Sequence, residues 1–117
     1  MASPSGLDGG LFVSDRTTVT VSLAGEIDIA TVVAARAEVT AAIQAHPGAT
    51  VVVDLAGVGY LDSTGLGMLV GAHKRATEAG GAIRVVNPST MIRRVFDITD
   101  LSILFIDEDA AAVTPTE

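Results

Sequence analysis

Short segments rich in valine and isoleucine alternate along this chain with segments of helical periodicity. Between residues 17 and 23, threonine or serine alternates with valine or leucine, which is the period of a strand with one buried face. The run 50–55, with its three consecutive valines, predicts a central strand covered on both faces. Residues 11–14 predict a strand that forms a hairpin with 17–23. Short strands are also expected at 82–86 and 103–106.

Three segments between these strands have the spacing of amphipathic helices. The first is expected to begin after an N-cap at Thr31 and to end at Pro47-Gly48, and the others cover residues 63–79 and 89–98. In the first helix, the residues expected to face the core are Val32, Ala35, Val39, Ala42 and Ile43. In the second helix they are Leu66, Leu69, Val70, His73 and Ala76, and in the third they are Ile92, Val95 and Phe96. Strands that alternate with helices predict a largely parallel sheet with helices packed against it.

Length, composition and net charge limit the kinds of protein that this chain can be. A chain of 117 residues that is 49% hydrophobic suits one domain, which we place at 11–113, with a flexible lead-in at 1–10 and a tail at 114–117. No apolar run approaches the roughly 20 residues of a membrane span. The absence of cysteine excludes disulfides and thiolate zinc sites, and we expect neither metal nor cofactor. The net charge of −7 disfavours nucleic acid and favours a basic protein partner.

The stretch DSTGLG at 62–67 lies where the valine-rich strand passes into the second helix. It has neither the glycine spacing nor the lysine of a P-loop, and Leu61 stands where a G-x-S-x-G nucleophile elbow needs glycine. His73 lies about 15 Å further along the same helix, too far to activate Ser63. Two interpretations remain. Asp62 or Ser63 caps the helix, or Ser63 accepts a phosphate that would meet free N–H groups and the positive end of the helix dipole.

Three segments resemble the signature regions of bacterial anti-sigma factor antagonists, which are single STAS domains. They are GEID at 25–28, VVVDLAGVGYLDSTGLGMLV at 51–70 and MIRRVFDITDL at 91–101. The resemblance covers about residues 11–110 and implies a mixed sheet of four or five strands with helices mainly on one face. One departure is Asp100, which replaces a common glycine of the family and is expected to affect only a left-handed turn.

The resemblance also implies a function and a set of site residues. In that family, the serine after the aspartate accepts phosphate from an anti-sigma factor that is also a serine kinase, so the position carried over is Ser63. The unphosphorylated protein would bind that kinase and free a sigma factor, and a serine phosphatase would restore it. Such a protein is a cytoplasmic regulator without enzymatic activity. It is expected to be a monomer or a weak dimer. The expected partner-binding residues are Asp28, Asp62, Thr64, Gly65, Leu66, Gly67, Met68 and Gly71.

Other interpretations stay open. The same fold could serve as a STAS module of a stressosome, transporter or lipid-transport complex in which the hydroxyl groups are structural. A small-molecule binder or serine enzyme is a separate class, and the histidine positions disfavour it.

Ser63, Gly67 and Gly71 are spaced four residues apart and therefore form one stripe on the second helix, which we call the glycine shelf. Each glycine costs a helix about 1 kcal/mol relative to alanine. The stripe predicts either a smooth surface for a partner, with Met68 beside it as an apolar contact, or tight packing inside the domain.

Overall fold

The structure, a computed structural model, describes residues 11–15 and 18–101. In chain order the elements are β1 (Leu11–Asp15), β2 (Thr18–Ile27), α1 (Val32–Ala45), β3 (Thr50–Leu61), α2 (Ser63–Glu78), β4 (Ala82–Val86) and α3 (Thr90–Ile98). Three predicted segments lie outside the described residues: the strand at 103–106, the lead-in at 1–10 and the tail at 114–117.

The strands form one sheet in the order β1-β2-β3-β4. Strands β1 and β2 are antiparallel, as the predicted hairpin requires. Strand β2 is parallel to β3, and β3 is parallel to β4. The predicted fold class, a mixed and largely parallel sheet with helices against it, is therefore confirmed, and β3 lies inside the sheet as expected.

The central strand is buried on one face only. Val51, Val53 and Leu55 are fully buried, whereas the alternate residues from Thr50 to Asp54 are half-buried. The prediction that this strand is covered on both faces is wrong. Successive side chains of a strand point to opposite faces, so Val52 lies on the less protected side, and its branched side chain favours a strand without full burial.

All five inward residues predicted for α1 are buried. In α2 the predicted inward face is wrong at Val70, which is 39% exposed, while Met68 and Ala72 are buried. Helix α2 contacts α1 as well as β3 and β4, so its buried surface is wider than one stripe. Ile92 and Phe96 of α3 are buried in the same core, with Val95 packed partly against it.

The turn after α3 contains the residue that departs from the family pattern. Asp100 has a φ of 63° and follows a helix end at which Leu101 N–H donates to Phe96 C=O at 2.9 Å. This confirms the expected left-handed turn, which aspartate occupies at a modest cost. None of the helices within residues 18–101 has both the length and the apolar character needed to cross a membrane.

Candidate functional site

Parallel pairing brings two polar corners to one edge of the sheet. Ile27, the last residue of β2, pairs with Leu61, the last residue of β3. One residue later, Asp62 N–H donates to Ile27 C=O at 3.2 Å. The corner that contains Asp28 and the corner that contains Ser63 therefore lie side by side at the carboxyl ends of two neighbouring strands.

Asp62 is the residue that caps α2. Its Oδ1 accepts hydrogen bonds from Thr64 N–H at 2.9 Å and Gly65 N–H at 3.3 Å, and also from the Thr64 hydroxyl. The Thr64 hydroxyl is the main cause of a lowered pKa of the Asp62 carboxyl, and the two backbone N–H groups act in the same direction. Of the two capping residues that the sequence left open, the structure selects Asp62.

Ser63 is the first residue of α2, and its side chain is exposed. Its hydroxyl forms no hydrogen bond within residues 18–101, whereas the neighbouring Thr64 hydroxyl is held by Asp62. One expectation needs correction. The N–H groups of Thr64 and Gly65 are not free to receive a phosphate, because both already donate to Asp62. The site is thus one accessible hydroxyl beside a carboxylate that occupies the helix N-terminus.

Asp28 forms the neighbouring corner through a reciprocal cap. Its Oδ1 accepts from Ala30 N–H at 2.9 Å and Thr31 N–H at 3.2 Å, while Asp28 N–H donates to the Thr31 hydroxyl at 3.0 Å. Thr31 is the N-cap residue of α1, as expected, but its side chain forms no hydrogen bond that caps the helix, and its hydroxyl donates instead to Glu26 C=O at 2.7 Å. Asp28 and Thr31 have the three-residue spacing of a capping box, which could have indicated the reciprocal bonds of Asp28. Asp28 therefore has a structural function in addition to its predicted place beside the serine.

Three residues predicted to contact a partner lie beneath the site. Gly65 is buried, and a Cβ there would lie 2.8 Å from Leu61 Cγ and 3.1 Å from Ile27 Cγ2. Leu66 and Met68 are 8% and 3% exposed. The expectation that Gly65, Leu66 and Met68 offer surface to a partner is wrong. Gly65 lets the first turn of α2 lie close to Ile27 and Leu61 at the ends of β2 and β3. Leu66 and Met68 belong to the hydrophobic core.

The glycine shelf lies on the open side of α2. A Cβ at Gly67 would meet nothing within 4 Å, and one at Gly71 would meet only Arg75 Nη1, at 3.9 Å. Neither glycine is needed for packing within the domain, so of the two interpretations of the stripe the geometry favours an open surface. Exposed apolar side chains that the sequence did not single out also occur near this edge. Ile29 and Val33 are 77% and 66% exposed at the start of α1.

The two histidines lie away from Ser63. His73 is ten residues further along α2, where its Nδ1 accepts from Ile83 N–H at 3.3 Å. Burial lowers the pKa of His73, and the positive charge of Arg84 acts in the same direction. His46 ends α1. Within residues 18–101, no group of three His, Asp or Glu side chains is placed to hold a metal ion.

Comparisons with known proteins identify the family. The domain family described as "Mlab, STAS domain" matches residues 11–106. The anti-sigma-B factor antagonist of Bacillus subtilis is 39% identical over 83 residues, which are 71% of this chain and 74% of that protein. The anti-sigma F factor antagonist of Lysinibacillus sphaericus is 33% identical over 92 residues, 79% of each chain.

Solved structures agree with these relatives. The anti-sigma factor antagonist SpoIIAA in its unphosphorylated form superposes with a TM-score of 0.69 at 28% identity, over 86% of this chain and 90% of that one. The phosphorylated form of Bacillus SpoIIAA superposes with a TM-score of 0.63 at 28% identity, over 86% of this chain and 94% of that one. The family model, the relatives and the solved structures agree, and the chain therefore belongs to the anti-sigma factor antagonist family of STAS-domain proteins.

Proposed function

We propose that this protein is an anti-sigma factor antagonist whose unphosphorylated form binds an anti-sigma factor serine kinase and thereby frees a sigma factor. Phosphorylation of Ser63 switches this binding off. The observation that carries the proposal is the contrast between two adjacent hydroxyls. Ser63 is exposed at the start of α2, while the hydroxyl of Thr64 donates to Asp62. A kinase can reach the first without breaking a bond of the helix cap.

The switch works through charge at the surface where the two proteins meet. A phosphate adds about −1.5 to −2 charges at neutral pH. On Ser63 it would lie beside Asp62 and next to the corner that contains Asp28, in a protein whose net charge is already −7. Because Asp62 already accepts from the N–H groups of Thr64 and Gly65, the helix start has little capacity left to neutralise the phosphate. The phosphate therefore stays on the contact surface as an uncompensated charge and a steric obstruction, which blocks a closely fitted partner without refolding the domain.

The partner is expected to bind across the glycine shelf and the adjoining corner. Gly67 and Gly71 let a partner backbone approach α2 closely, since neither position carries a side chain. Ile29 and Val33 add exposed apolar surface at the neighbouring helix start. Asp28 and Asp62 are proposed to contact the partner at the edge of this surface.

The remaining components follow from the same proposal. The kinase supplies ATP and magnesium, so this chain needs no cofactor of its own, and a serine phosphatase removes the phosphate. The protein acts in the cytoplasm, as a monomer or weak dimer.

Phosphate mapping tests the proposal directly. The protein is incubated with the kinase-type anti-sigma factor of the same genome and ATP, and the modified residue is located by mass spectrometry. We expect phosphate on Ser63, none on Thr64, and loss of kinase binding after modification. Ser63→Ala is expected to stay folded and to bind the kinase permanently, because the helix cap belongs to Asp62. Phosphate on Thr64 alone, or equal binding before and after modification, would contradict the proposal.

A further inference from the structure

The last part of β2 has a free edge on the side that faces away from β3. The pairing of β1 with β2 reaches only as far as Val21, which lies opposite Leu11. Strand β2 continues to Ile27, and the order of the sheet places no other described strand beside residues 22–27 on this side. The backbone N–H and C=O groups along such an edge can pair with a further strand.

A groove opens between this part of β2 and α1. It encloses about 210 Å³, and its lining consists of residues 23–27, Thr31, Ala34, Ala35 and Glu38. Every second residue of β2 from Val19 to Ile27 is buried except Gly25, which is exposed and lines the groove. The volume is smaller than the roughly 300–1,000 Å³ of sites that hold small molecules. The groove is therefore a gap in the buried face of β2 that suits one apolar side chain.

The antiparallel register of β1 leads the residues before it along this edge. Each residue earlier in the chain lies opposite one residue later in β2, so continued pairing places Gly9 opposite Leu23 and Leu7 opposite Gly25. Directly opposed residues share a face of the sheet, so position 7 lies on the buried face, at the groove. Gly25 has a φ of 84°, which bends β2, and regular pairing therefore ends there.

The sequence of the lead-in fits this path. Leu7 is the one large apolar side chain between Ala2 and Gly10. Pro4, which has no N–H to donate to a neighbouring strand, lies before the paired stretch. We propose that residues 7–10 continue β1 along the free edge of β2 and that the Leu7 side chain fills the groove. The sequence alone predicts a flexible lead-in, and the inference changes that expectation for residues 7–10.

Substitutions in the full chain test the contact between Leu7 and the groove. Leu7→Ala shortens the occupant, and Asp8→Ala, at the neighbouring position on the opposite face, is its control. Ala34→Leu fills the groove from α1, and Ala37→Leu, at an exposed position of α1 outside the lining, is the second control. Two properties are measured on the protein alone: the melting temperature, and the hydrogen–deuterium exchange of the backbone amides of residues 22–27.

We expect Leu7→Ala to lower the melting temperature by about 3–8 °C and to speed amide exchange at residues 22–27, because the strand beside them detaches. Asp8→Ala should change neither property. Ala34→Leu should lower the melting temperature of the wild type but not that of Leu7→Ala, because the shorter side chain leaves room for the new leucine. Ala37→Leu should have the same small effect in both backgrounds.

Three results would overturn the inference. If Leu7→Ala leaves either the melting temperature or the amide exchange unchanged, Leu7 does not dock on β2. If Ala34→Leu has the same effect in both backgrounds, Leu7 lies outside the groove. If the effect of Leu7→Ala disappears on dilution, the segment docks on a second copy of the chain. The kinase is absent from these measurements, so the proposed function stands or fails separately, by the mapping of phosphate on Ser63.

Discussion

Replacing Gly71 with alanine should make the domain more stable and its complex with the kinase weaker. A Cβ at this position meets only the end of the flexible Arg75 side chain, at 3.9 Å. Alanine in a helix interior is favoured over glycine by about 1 kcal/mol. For a domain of this size, that gain corresponds to a rise in melting temperature of about 3–8 °C. Gly67→Ala should behave in the same way, because its Cβ would meet nothing within 4 Å.

The effect on binding has the opposite sign. If a partner backbone lies on the glycine shelf, a new methyl group forces the two surfaces apart. Overpacking of this kind costs about 1–3 kcal/mol, or roughly five- to a hundredfold in the dissociation constant. Thermal denaturation and isothermal titration with the kinase measure the two effects on the same sample.

Gly65→Ala provides a matched control on the same helix. Its Cβ would lie 2.8 Å from Leu61 Cγ, and the Leu61 side chain is buried, so the substitution should destabilise the domain by about 1–3 kcal/mol. A lower melting temperature for Gly71→Ala would contradict the open surface that the structure assigns to the shelf. A higher melting temperature with unchanged affinity would place the partner elsewhere.

Three other substitutions test single features. Asp28→Ala removes the reciprocal cap with Thr31 and should lower the free energy of unfolding by about 0.5–2 kcal/mol, so an unchanged denaturation curve would contradict the capping role. Asp100→Gly should raise the free energy of unfolding by up to about 1 kcal/mol in the same denaturation assay, because glycine adopts a φ of 63° without strain. For His73, burial lowers the pKa in the folded state, so the unfolded chain takes up a proton first as pH falls below about 6.5, and stability should decline there. His73→Gln should remove this pH dependence of the melting temperature, and identical profiles for the two proteins would refute the assignment.

The order of elements follows from the sequence because it depends on local periodicity. Alternation from Thr18 to Leu23 and the helical spacing from Val32 to Ile43 each report which side of an element is apolar, and both patterns match the buried residues. The left-handed turn at Asp100 could also be predicted from the sequence, because it depends on the residues at the end of one helix. The candidate phosphoacceptor also came from sequence, through the resemblance of DSTGLG and its flanking segments to one family.

Tertiary contacts decided the rest, because burial depends on which neighbours an element meets. Met68 and Val70 are both apolar residues of α2, and only the contacts with α1 and the sheet determine that the first is buried and the second exposed. The same holds for the glycines of this helix, since Gly65 faces Leu61 and Gly71 faces open space. Register between parallel strands joins Ile27 to Leu61 across 34 positions of sequence and so brings Asp28 beside Ser63. An unfolded chain contains the same residues, but only the pairing of β2 with β3 brings the two corners together.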